Sequence, residues 1–108
     1  MGKETVLLHE EAAAFAHYLE REMDGAKDIR MATSRILFSR QADQYEYWLQ
    51  GDRIIRTKNG LGYVTVCFNV KNMVIYRGSH GLELKLKLER NYVSVEMNMI
   101  LGSTVDTS

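Results

Sequence analysis

Between Leu82 and Glu89 the chain alternates without a break, with Leu82, Leu84, Leu86 and Leu88 on one side and Glu83, Lys85, Lys87 and Glu89 on the other. A period of two cannot be accommodated on a helix; it dictates a strand with one face in a core and one in water. The same period recurs on either side. Tyr45, Tyr47 and Leu49 alternate with Glu46 and Trp48, Val64, Val66, Phe68 and Val70 with Thr65, Cys67 and Asn69, and Val93, Val95, Met97 and Met99 with Ser94, Glu96 and Asn98. Shorter strands are expected at about 28–32, 35–40, 53–58 and 73–77. The connectors Gln50–Gly51–Asp52, Asn59–Gly60–Leu61–Gly62, Gly78–Ser79–His80–Gly81 and Arg90–Asn91 carry turn residues. All are too short for a parallel crossover, so consecutive strands must pair antiparallel.

Only the start of the chain departs from this period. Leu8, Ala12, Phe15, Leu19, Met23 and Ala26 recur at spacings of three and four, which places an amphipathic helix at about 6–26. Glu10, Glu11, His17, Glu20, Arg21 and Asp24 fill its polar side, and Gly25 stands where helices commonly stop. The expected class is α+β: one domain over 1–108, with the N-terminal helix packed on an antiparallel β-sheet spanning about 28–100. The small polar tail 102–108 is expected to fray.

Charge constrains function. Fourteen Lys and Arg balance fourteen Asp and Glu, which excludes a strongly basic nucleic-acid clamp. The balance is uneven along the chain: residues 1–28 hold three bases against seven acids, a net of −4, and residues 29–108 carry the compensating +4. The longest apolar run, Ala12–Ala16, is far short of the ~20 residues that cross a bilayer, so the chain reads as soluble and without a secretion signal.

Residues that carry chemistry are sparse. Cys67 is the only cysteine and sits in an apolar strand run, where a thiol behaves as a small hydrophobe. His9 and His17 are eight residues apart on the helix, the wrong spacing for a metal-binding pair, and His80 belongs to a turn. Asn59–Gly60–Leu61–Gly62 has neither P-loop spacing nor a following helix. No catalytic residue, metal or cofactor is expected, and the chain is not read as an enzyme. The hairpin around residues 45–58 is more suggestive. Arg53, Arg56 and Lys58 lie opposite Tyr45, Tyr47 and Trp48, and cations interleaved with aromatics hold single-stranded nucleic acid. Alternation splits the set, however, with Arg56 and Lys58 on one face and Arg53 on the other. The alternative is a stand-alone β-rich ligand-binding or adaptor module that uses Tyr45, Tyr47 and Trp48.

Three segments in order carry a family resemblance: Phe15–Ala16–His17–Tyr18–Leu19–Glu20–Arg21–Glu22–Met23, then Gln44–Tyr45–Glu46–Tyr47–Trp48–Leu49, then Arg53–Ile54–Ile55–Arg56–Thr57–Lys58–Asn59–Gly60–Leu61–Gly62–Tyr63. This resembles the ComGF-type minor pseudopilins of the Gram-positive competence pilus, over roughly residues 13–100. The resemblance implies a pseudopilin-like globular domain and a structural subunit of a pilus that supports uptake of transforming DNA. The implied partners are other minor and major competence pilins and the pilus assembly machinery, with DNA met indirectly. The family's basic leader and apolar anchor helix do not match any part of this sequence. The resemblance therefore implies a cell-envelope protein, membrane-anchored at full length, of which this chain is the soluble part. Side-by-side docking would then use whatever part of the Leu8–Phe15–Leu19 stripe and its flanks the sheet leaves uncovered. Glu10, Glu11 and Glu20 would steer the acidic helix toward basic neighbours.

Overall fold

A computed structural model describes residues 2–101, so the tail 102–108 lies outside the described residues. The helix α1 spans Lys3–Glu22, starting and ending a turn earlier than its apolar repeat suggests. At its start Glu4 sits in the first turn, where a carboxylate favours the helix dipole. At its end the chain leaves the helix at Met23 and reverses at Gly25, whose φ of +77° suits glycine. Met23 and Ala26 are buried as the repeat requires, but from the turn rather than from the helix.

Eight strands follow: β1 (Lys27–Ala32), β2 (Arg35–Arg40), β3 (Asp43–Gln50), β4 (Arg53–Lys58), β5 (Leu61–Cys67), β6 (Val70–Gly78), β7 (Gly81–Arg90) and β8 (Val93–Ile100). All neighbours pair antiparallel, and the class is α+β. The single sheet expected from sequence is two, a five-stranded meander β1-β2-β3-β4-β5 and a three-stranded meander β6-β7-β8. The division falls inside the run read as one strand over Val64–Val70. Asn69, at φ +61°, breaks it, so β5 ends at Cys67 and β6 opens the second sheet at Val70. Register shifts between β4 and β5 also change which side chains point inward. Cys67 is buried, whereas Val64 is 50% and Phe68 55% exposed, the reverse of the expected alternation.

The hairpin tips of the first sheet end on β6. The Val70 N–H donates to Asp52 O at 2.8 Å, Ser34 Oγ to Met73 O at 2.8 Å, and the Ile75 N–H to Thr33 O at 3.3 Å. These bonds occupy the outer edge of β6, which would otherwise be open. The helix lies over β7 and β8 and reaches β5. One core cluster runs through the helix and both sheets, taking in Phe15 and Leu19 with Ile36, Phe38, Tyr47, Ile54, Leu84 and Leu88.

Candidate functional site

The apolar stripe of α1 is consumed by this core. Leu8, Phe15 and Leu19 are at most 2% exposed, so the expectation that they dock a partner is corrected: the sheets leave none of the three uncovered. Burial of each is worth about 2 kcal/mol, which offsets the chain entropy lost on folding.

What remains open is the flank beside that stripe. Helix periodicity puts Leu7, Glu11, Ala14, Tyr18 and Glu22 on one side, turned toward the edge of the first sheet. There the Phe68 N–H donates to Glu11 Oε1 at 2.7 Å, and Glu22 accepts from Arg56 Nε and Nη2, both at 2.7 Å. The Tyr47 hydroxyl donates to the same Glu22 carboxylate. Along this flank Leu7 is 46% and Tyr18 38% exposed, and Val64 and Phe68 are exposed at the sheet edge that the helix reaches. Exposed apolar side chains on a helix flank and on the edge it reaches are the kind of surface that joins protein to protein.

The basic hairpin residues separate as alternation requires. Arg56 is opposite Tyr47 and Lys58 opposite Tyr45, on the face toward the helix, and Arg53 is opposite Gln50 on the other. Arg56 is engaged within the molecule. Its guanidinium is forked onto Glu22, their side chains are 18% and 12% exposed, and it lies 5.2 Å from the Tyr45 ring centre and 6.0 Å from that of Tyr18. The bidentate bond to Glu22 raises its pKa above the ordinary arginine value. Burial, and then the bond to Glu22, push the Tyr47 phenol up likewise. Lys58 stays exposed 3.6 Å from Asp43, whose carboxyl is held low by a 2.9 Å hydrogen bond from Asn59 and by the lysine. Arg53 is exposed and stands apart from the other two.

Tyr45 and Tyr47 are likewise core residues, stacked with Phe38 at 5.4 and 6.2 Å, so they form no adaptor surface. Trp48 alone of the three faces outward. It meets Tyr63 edge to face at 5.6 Å, with the Arg35 guanidinium 5.4 Å from its ring centre. Sequence reasoning missed Tyr63 because the register shift that brings it beside Trp48 leaves no trace in the alternation.

The acidic residues named as steering groups differ in freedom. Glu10 is exposed and Glu20 half-buried, whereas Glu11 is tied to the Phe68 backbone. Two further helix acids are committed inside the molecule, Glu22 to Arg56 and Glu4 to Arg90 at 3.3 Å, so the helix is tied to each sheet by one ion pair. Among the described residues no helix is long and apolar enough to cross a membrane.

No curated protein and no solved structure matches the chain. A family model does, that described as "Putative Competence protein ComGF", over residues 8–92. That span takes in the buried helix stripe, the Glu22–Tyr47–Arg56 cluster and both sheets as far as the turn before β8. The chain belongs to the ComGF family of competence proteins.

Proposed function

We propose that the chain is the globular part of a minor pseudopilin, a structural subunit of a competence pilus that supports uptake of transforming DNA. It acts by assembling with other pilins in the cell envelope and carries out no reaction. Membership of a competence family supports the setting. The observation that carries the assembly role is the uncovered flank of α1, where Leu7, Ala14 and Tyr18 run beside Val64 and Phe68. A helix that packs its own sheets with one stripe and keeps an apolar flank free can join a second helix laterally. Arg56 and Lys58 are engaged in ion pairs, which favours DNA as cargo of the assembly over DNA as a ligand of this subunit.

Deletion and complementation test this reading. Loss of the gene should abolish transformation, and a Leu7→Glu, Tyr18→Glu double variant should fail to restore it while folding normally, because both side chains are substantially exposed. Normal transformation without the protein would remove the proposal.

A further inference from the structure

The face of the first sheet turned away from α1 carries a second surface, distinct from the helix flank. Cα pairing aligns Arg35, Trp48, Ile55 and Thr65 in one row across it and Leu37, Glu46 and Thr57 in the next. A hollow of about 290 Å³ opens there, floored by Leu37 and Thr57 and walled by Gln44, Glu46 and Arg30. Two local features make it. The register shift in β1, with Asp28 at φ +54°, lifts that edge, and Gly60 leaves the opposite end free of a side chain. Thr57, 3% exposed, is the one buried polar residue among the described residues, and it lies in the floor of this hollow. Tyr63, 72% exposed, and Trp48 stand beside it on the same face.

The chemistry of this face selects a ligand class. Gln44 and Thr57 each offer both a donor and an acceptor, Glu46 accepts and Arg30 donates. A ligand that matches must itself present closely spaced groups that donate and accept, as vicinal hydroxyls do. Next to them an exposed aromatic ring offers an apolar platform that suits the C–H face of a pyranose ring. The charges cancel. Asp28 and Arg30 line the hollow together, and Glu46 is neutralised by Arg35 at 2.7 Å. A polyanion needs a surplus of positive charge to displace its counterions, and the lining of this hollow has none, the exposed Arg53 of the same face standing outside it. The volume is at the small end of ligand sites, which run from ~300 Å³ upward, and so takes one unit of a longer chain with the remainder lying across the sheet.

We propose that this outer face binds a neutral oligosaccharide, one sugar unit hydrogen-bonded over Thr57, Gln44 and Glu46 and the neighbouring unit against Tyr63. The site is on the opposite side of the sheet from the helix flank, so it stays open when that flank is engaged, and the proposal does not rest on the pilus role.

The test is an NMR titration of the ¹⁵N-labelled chain with three neutral tetrasaccharides of different linkage, chitotetraose, cellotetraose and maltotetraose, and with a single-stranded thymidine oligonucleotide. The expected result is saturable binding of at least one saccharide with a Kd of about 1 mM or tighter. The shifts should centre on Gln44, Glu46, Thr57, Tyr63 and the Trp48 indole. Tyr63→Ala, at an exposed position where the fold is retained, should weaken binding about tenfold, equivalent to ~1.4 kcal/mol. Gln44→Ala, also exposed, should weaken it independently. The proposal is overturned if none of the three saccharides saturates, if both variants bind as the parent does, or if the oligonucleotide binds this face more tightly than any saccharide.

Discussion

Arg56 is a cation on a strand flanked by tyrosines, and in sequence that combination reads as a nucleic-acid contact. Its neighbours in space give it another task. Glu22, from the last turn of α1, takes both guanidinium donors, and Tyr47 satisfies the same carboxylate, so one buried cluster fixes the end of the helix to the sheet. Removing one member strands a charge in a place with little access to water. Arg56→Ala should cost about 3 kcal/mol in urea unfolding, whereas exposed Arg53→Ala should stay within about 0.5 kcal/mol. Arg56→Lys should recover only part of the loss, because an ammonium cannot make the forked contact. Equal effects at positions 53 and 56 would refute the clamp. Cys67 gives a second prediction at this scale. Burial first, and the Glu11 charge second, push its thiol up from 9.0 to about 12. A raised folded value means that the unfolded chain loses its proton first, so the stability it contributes is complete below pH 9 and drains away between pH 9 and 12. A thiol reagent at pH 8 should leave Cys67 unmodified in the folded protein and label it in urea. In Cys67→Ala the decline in stability above pH 9 should be shallower.

At the scale of elements, the strands whose alternation is uninterrupted were legible in sequence. β2 and β4 have the expected bounds, and the Leu82–Leu88 face is buried throughout. The helix stripe was legible too, since all six of its apolar residues are buried. The segment 61–70 was not, for a physical reason. Alternation reports a face only while the register holds, and two shifts between β4 and β5 break it. The signals available were backbone ones, Gly62 at φ +69° and Asn69 at φ +61°, residue types that tolerate the left-handed region and so mark bulges and breaks. The same gap hid the candidate surfaces, because Val64, Phe68 and Tyr63 reach them only through that altered register. Asn69 can be tested directly. Valine there would force a branched side chain into the left-handed region at a cost of about 1–2 kcal/mol, and glycine should be tolerated. Thermal unfolding of Asn69→Val and Asn69→Gly reads the difference. A valine variant as stable as the parent would mean that the chain can pass from one sheet to the other without this break.

For the whole molecule, the −4 of the first 28 residues against the +4 of the rest is partly an internal device. Glu22 and Glu4 tie the two ends of α1 to β4 and to the end of β7, so opposite charge along the chain holds the helix across the two sheets. Such pairs are worth little where they are exposed, as at Glu4–Arg90, and more where they are desolvated, as at Glu22–Arg56. Glu11 is also committed, through its bond to the Phe68 N–H, so of the three glutamates named as steering groups only Glu10 and Glu20 are free to act outward. This separates the effect on partners from the effect on folding. Glu10→Lys with Glu20→Lys should leave urea unfolding nearly unchanged. Against competence pilins, the partners proposed above, it should slow association in low salt, and the difference should vanish at high ionic strength, where surface charges are screened beyond ~3 Å at 1 M. Glu11→Lys should instead loosen the junction between the helix and the sheet edge and lower stability first. If the Glu10, Glu20 double reversal binds partners as fast as the parent at low salt, the charge asymmetry serves the fold alone. The apolar flank of Leu7 and Tyr18 would then have to account for docking without electrostatic help.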